Sequence, residues 1–406
     1  MPSQTYTVSQ AATDEFLNGM VAQLYLAGAT PAGGSFKLPV FADAESIQAI
    51  LSDPAQFPKV TNMGLLDGLG ESRFTANGKA WEVRRSLTLG AYSQAGSSNQ
   101  ADAVMKTYRE QFANCDSTVE GIQSALLRAS SAIFFRALGC QADTGNLLEW
   151  FASARLYLKR LQYFSWNAPN AADAAALRRE ARDIMQRFSD AASRSPSLAR
   201  LMDTYRDQAR DLTAFDPCSE LLMNFLAGVE TTAATLSFAI DRLGVDARVQ
   251  RRLHEELDGD AGSDVYLGCF IRETMRYFPA VPFVLRETAA ACVLNDVSLS
   301  AGDKILLSIV GLHHNPLYWS EPEIFDCSRR EFLDHSWNRR AFLPFLAGPR
   351  MCGGARLANL ELTEALKAFL RQFLVTGSSD AIGFDYGLAL RPRSSQALHI
   401  SRRRDS

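Results

Sequence analysis

The chain has 406 residues, of which 47% are apolar and 21% charged, with 24 phenylalanines; this excludes a disordered or collagen-like chain and allows a sizeable core. A formal net charge of −3 supplies no overall drive towards nucleic acid or an anionic membrane. Seven cysteines, odd in number and scattered without a CxxC pair, argue for a reducing compartment, with six of them expected as small core hydrophobes.

The stretch MPSQTYTVSQAATDEFLNGM has no basic region followed by an apolar core, and no run approaches the roughly 20 apolar residues that span a bilayer, so a soluble, cytoplasmic protein is expected. No internal repeat or linker stands out, and residues 1–406 read as one catalytic unit without a fused reductase. Residues 35–51 predict a short strand turning into a helix from Ala44 to Leu51. The glycine-rich stretch TNMGLLDGLGESRFTANG is apolar where a surface loop would be polar, which suits a lid or pocket wall.

From Gly78 to Leu257 apolar residues recur every three or four positions, the pattern of helices. Asp216 to Gly244 predicts one long helix, with Asp216 as N-cap and Pro217 in its first turn; apolar almost all round, it should run through the middle of the molecule. Residues 281–310 switch to strand alternation with turns at Asn295-Asp296 and Ala301-Gly302. A last hairpin is expected in LALRPRSSQALHISRR. The fold class is mainly α with a smaller β part.

The stretch AFLPFLAGPRMCGGARLANLEL sets Cys352 in a glycine-rich turn before a helical segment. Flanking glycines leave room for a flat macrocycle and free amide N–H groups for a thiolate. An inert buried thiol would need neither. The string Phe345-x-x-Gly348-x-Arg350-x-Cys352-x-Gly354 resembles the haem-binding signature of the cytochrome P450 superfamily at every defined position, and the resemblance extends from about residue 36 to 402. It implies the cytochrome P450 fold and haem b with Cys352 as its iron ligand. In it, Arg350 would face a propionate and Phe345 shield the sulfur, while Leu346 and Ala347 depart from a common glycine pattern.

Further motifs follow in the order the family has them. In FLAGVETTAATLSFAI, small Ala227 and Gly228 leave space above an iron, and Thr231 can hydrogen-bond back to the Ala227 carbonyl. By resemblance, Glu230 and Thr231 form the acid and alcohol of a proton relay. Glu273 and Arg276 stand at i, i+3 in IRETMRYFP, an ordinary ion-pair spacing; with Arg329 they resemble the family's buried triad holding the cysteine loop. Trp81 and Arg85, at i, i+4, and Arg286 resemble further propionate partners, although packing and solvation also account for them. His313 and His314 read as structural.

Met63, Leu65, Leu66, Leu69, Val281, Phe283 and Val284 are candidate pocket walls, with core packing as the competing account, and LKRLQYFSWNAPNAADAAALRRE a candidate mobile roof. The implied activity is a soluble bacterial-type monooxygenase that hydroxylates or epoxidises an apolar small molecule. Its electrons would come from NAD(P)H through a ferredoxin or flavodoxin and its reductase, docking on Arg84, Arg339, Arg340 and Arg356. An oxidative coupling or cyclisation enzyme, a peroxide-driven hydroxylase, a non-catalytic haem sensor and a haem-free scaffold for carrier-tethered substrates are the alternatives.

Overall fold

The computed structural model describes residues 7–26, 38–60, 66–140, 147–259, 264–377, 383–393 and 398–403. Its axis is the central helix Pro217–Val245, which begins as the sequence predicts: the Asp216 carboxylate accepts from the Cys218 and Ser219 amides, and Pro217 occupies the first turn where no N–H is needed. The helix is buried along most of its length. Among the described residues it alone is long and apolar enough to cross a membrane, yet 78% of that window is buried inside the fold.

Helix Val119–Ala137 packs on one side, where Phe225 meets Phe134 and Phe135 at centroid distances of 5.4 and 5.1 Å. Helix Ala355–Gln372, which follows the cysteine, packs on helix Ala101–Ala113 through Phe112 and Phe369 at 5.7 Å. Each buried phenylalanine contributes on the order of 1.5–3 kcal/mol. These helices therefore form a stiff frame around whatever the central helix faces.

The β part lies to one side. Strand Lys304–Ser308 pairs in parallel with Val40–Phe41 and antiparallel with Phe283–Glu287, with Val284 opposite Leu307 and Arg286 opposite Ile305. Alternation along Phe283–Glu287 sends Phe283 and Leu285 into a cluster with Phe238, Phe278 and Tyr386. Val284 and Arg286 take the other face, which lines the main cavity. The hairpin of Cys292–Leu294 and Val297–Leu299 turns at Asn295 and Asp296, both in the left-handed region at φ 44° and 63°, as a two-residue hairpin turn requires.

The expected C-terminal hairpin is not one unit. Leu390–Pro392 folds back on Phe384–Tyr386, whereas His399–Arg402 pairs with Phe373–Thr376, the strand leaving the helix after the cysteine. The two strands are present, but each pairs with a different partner. The segment 158–180 is likewise helical, divided between helices Leu147–Trp166 and Ala171–Ser193, and none of it reaches the main cavity.

Candidate functional site

The loop before helix Ala355–Gln372 is built from its own hydrogen bonds: the Cys352 amide donates to the Phe345 carbonyl at 3.0 Å and the Met351 amide to the Gly348 carbonyl at 3.1 Å. Gly348 has φ +70°, and a Cβ there would lie 2.2 Å from the Leu51 carbonyl oxygen. Its need for glycine therefore comes from the close approach of helix Ala44–Ser52, not from clearance for a macrocycle. Leu346 also sits in the left-handed region, at φ 59°, a conformation that costs a non-glycine residue roughly 1–2 kcal/mol. Its side chain packs against the cluster of Ile47 and Leu51 and borders the cavity, which opposes that cost.

Cys352 opens onto a cavity of about 1700 Å³, its mouth included. The space inside it open to a water-sized sphere is about 360 Å³, within the roughly 300–1,000 Å³ of an ordinary small-molecule site. Surrounding protein pushes the Cys352 thiol up, whereas the Gly354 amide and the Arg73 guanidinium favour the thiolate. Ala227, Gly228, Thr231, Thr232 and Thr235 of the central helix line the same cavity. Thr231 Oγ1 donates to the Ala227 carbonyl at 2.8 Å, as the spacing predicts, within a continuous helix.

One wall is cationic. Lys59, Arg73, Arg85, Arg286 and Arg350 line it, and among the described residues none has a carboxylate within 4.0 Å. Trp81 lies beside two guanidiniums, Arg350 at 4.6 Å and Arg85 at 5.7 Å from its ring centre. Arg350 donates to the Ala76 carbonyl at 3.1 Å and to Asn77 Oδ1 at 2.8 Å, tying the cysteine loop to the start of helix Gly78–Ala95. Burial and the Arg350 charge pull Arg286 down to about 10. The Nε atoms of Arg85 and Arg350 are buried with no hydrogen-bond partner among the described residues.

Such a wall awaits anions. The two propionates of a haem fit it, and Cys352 would supply the thiolate donor. Lys59 and Arg73 are the functional candidates that sequence reasoning missed. Lys59 donates to the carbonyls of Arg73 and Phe74 at 3.3 and 3.0 Å, and burial with neighbouring cations pulls it well below the usual lysine range. A basic residue inside the apolar run QFPKV was the available signal.

Glu230 is not brought to the cavity with Thr231. A helix turns about 100° per residue, so while Thr231 faces inward, Glu230 faces helix Leu147–Trp166 and pairs with Arg155 Nε at 3.1 Å. Burial pushes its carboxyl up, and Arg155 opposes the shift. Val281 and Val284 line the cavity as expected. Phe283 does not, because strand alternation turns it away, and Leu69 is buried in the main helical core. Met63 and Leu65 lie outside the described residues, as does the Leu66 side chain. Arg84 is fully buried between Glu71 and Glu220, at 2.6 and 3.2 Å, so it cannot belong to a docking surface; Arg339, Arg340 and Arg356 are exposed.

Glu273 grips Arg276 through two hydrogen bonds of 2.7 and 2.8 Å and takes Arg329 at 3.1 Å, with all three side chains buried. Their remaining donors go to backbone carbonyls, Arg276 to His313, Pro322 and Ile324, and Arg329 to Ser320 and Ile324. The triad thus fixes the segment 313–329 directly. It reaches the cysteine loop one step removed: the neutral His313 ring donates to the Arg276 carbonyl and accepts from the Leu343 amide at 2.9 Å, with its pKa held down to about 3 by burial.

A cysteine and the small residues of a buried helix lining one cavity, with an arginine wall at one side, fit a haem-thiolate protein. Residues 33–394 match the family model described as cytochrome P450, and the chain belongs to that family. It is 30% identical to mouse "Cytochrome P450 4V2" over 228 residues, covering 52% of this chain and 43% of that protein. To mouse "Cytochrome P450 4X1" it is 35% identical over 214 residues, covering 48% and 42%. With fruit-fly "Probable cytochrome P450 4p3" (Drosophila melanogaster) it shares 25% identity over 421 residues, covering 89% and 81%. The chain thus spans less than half the length of the two mouse relatives in these matches.

Proposed function

We propose that the chain is a monooxygenase that inserts one oxygen atom of O2 into an apolar small molecule. The observation carrying this reading is that the Cys352 sulfur and the Thr231 hydroxyl open onto one cavity, one wall of which carries cations that have no carboxylate within 4.0 Å among the described residues. A bound haem would supply the oxygen activation, and Cys352 would hold its iron through the thiolate. Arg85, Arg286, Arg350 and Lys59 would hold its propionates. Ala227 and Gly228 keep the central helix from filling the space where substrate and O2 must meet. Thr231 holds a hydroxyl there whose proton can be exchanged against water, the role of a positioned proton carrier.

Val281, Val284, Met275 and Ala280 give the rest of the cavity an apolar lining, which suits an apolar substrate. In the overall balance, substrate, O2, two electrons and two protons give the oxygenated product and water. The electrons come from NAD(P)H through a ferredoxin or flavodoxin and its reductase, and the exposed Arg339, Arg340 and Arg356 offer acidic partners a docking face.

The test is turnover under labelled oxygen with a compound that perturbs the haem absorption on binding. One labelled atom should appear in the product and the other in water. Product oxygen drawn from solvent, or product formed without NAD(P)H oxidation, would defeat the proposal.

A further inference from the structure

Of the cations along the cavity wall, Lys59, Arg85, Arg286 and Arg350 suffice for two propionates, which leaves Arg73 without an assigned role. Its Nη1 donates to Asn224 Oδ1 at 3.0 Å and to the Thr88 hydroxyl, and its Nη2 to the Arg85 carbonyl at 3.4 Å. Its amide donates to Glu220 Oε2 at 2.9 Å, and its carbonyl accepts from Lys59 Nζ at 3.3 Å. Backbone and guanidinium are thus both fixed, between the central helix and helix Gly78–Ala95, and the residue is only 9% exposed.

That frame sets the charge beside the cysteine loop. A Cβ added to Gly353, the residue after Cys352, would stand 3.7 Å from Arg73 Nη2, so the guanidinium lies within contact range of the loop. The acceptors holding it are an amide, a hydroxyl and a carbonyl, all neutral, and among the described residues no carboxylate comes within 4.0 Å of it. Glu220, whose carboxylate takes the Arg73 amide, forms its ion pair with Arg84 at 3.2 Å instead, and Arg84 also pairs with Glu71 at 2.6 Å. An arginine stays charged throughout the working pH range. Buried and without a counter-ion in contact, this charge acts through a medium that screens far less than water. Groups outside the ligand set tune a bound metal by such means.

We propose that Arg73 is a positioning residue that sets the reduction potential of a haem held by Cys352. Its fixed positive charge favours the state with one more electron, so reduction is easier than it would be against an apolar wall. The electron comes from NAD(P)H through the redox partner, and Arg73 itself gains and loses nothing. Asn224 and Thr88 hold the guanidinium in place, which makes the bias permanent. The inference rests on the haem-thiolate reading of Cys352.

The test is the midpoint potential of the haem-loaded, substrate-free protein, measured for the natural chain, Arg73→Met, Arg73→Lys and Asn224→Asp. Arg73→Met should lower the equilibrium constant for reduction on the order of tenfold, about 59 mV for one electron. Arg73→Lys should restore most of that loss, because it returns the charge without the arginine's hydrogen-bond pattern. Asn224→Asp keeps the arginine and sets a carboxylate against it, so its potential should fall in the same direction. A natural potential in Arg73→Met, or one that Arg73→Lys leaves as low as Arg73→Met, overturns the proposal. Should Arg73→Met fail to hold haem, an unchanged potential in Asn224→Asp overturns it equally. Each sample is also reduced under carbon monoxide. Absence of the red-shifted thiolate band from the natural chain refutes the ligand assignment and the Arg73 proposal with it, whereas a normal band with unmoved potentials refutes the role of Arg73 alone.

Discussion

Replacing Glu273 by alanine will destabilise the chain by about 3–5 kcal/mol, the usual cost of removing one member of a buried ion pair. The reason is the number of groups left stranded. Glu273 takes two nitrogens of Arg276, the Arg329 side chain and the Asp326 amide, and both guanidiniums are held away from bulk water. Without it two guanidiniums would remain buried against backbone carbonyls with no counter-charge. Chemical denaturation of the haem-free protein should show the loss as a lower midpoint with an unchanged slope. Glu273→Gln should recover only a fraction, because a neutral amide keeps one acceptor and loses the charge. A midpoint within about 0.5 kcal/mol of the natural chain would show that the triad does not support the fold.

The second large effect is opposite in kind. Cys352→Ala should leave the folding midpoint within about 0.5 kcal/mol of the parent, since the thiol opens onto the cavity and its loop is held by backbone bonds of Phe345, Gly348 and Met351. O2-dependent product formation should nevertheless vanish. The arginine wall should still retain some haem in Cys352→Ala, now without a thiolate ligand, and Arg286→Leu with Arg350→Leu in the same chain should empty it. An active Cys352→Ala variant would remove sulfur from the chemistry altogether.

Much of this was legible because the signals were local. Asp216-Pro217 announces the central helix through the chemistry of an N-terminus, and Thr231 at four residues from Ala227 fixes its own hydrogen bond. The cysteine loop was legible as a motif, although not the reason for Gly348, which lies in the passing carbonyl of Leu51. What the sequence hid was direction and partnership. Glu230 and Thr231 are neighbours in the chain, but one helical step separates a cavity from Arg155. Phe283 and Val284 differ by the parity of a strand whose facing could only be set by its packing.

Burial of charge was the least visible property. Arg84, expected on a docking face, is enclosed by Glu71 and Glu220, whereas Arg85, expected at a propionate, borders the cavity. Glu361 reads as an ordinary helix carboxylate until Tyr108 and Ser130 are brought against it from two other helices. Long-range contacts decide these cases, and no local pattern encodes them.

The central claim is that the Cys352 sulfur ligates haem iron. Its most direct test is the absorption spectrum of the folded, haem-loaded protein after reduction and addition of carbon monoxide. The strongly red-shifted band of thiolate ligation should appear, and it should be missing from Cys352→Ala. Full haem occupancy without that band in the natural chain would contradict the assignment of Cys352 and the chemistry built on it.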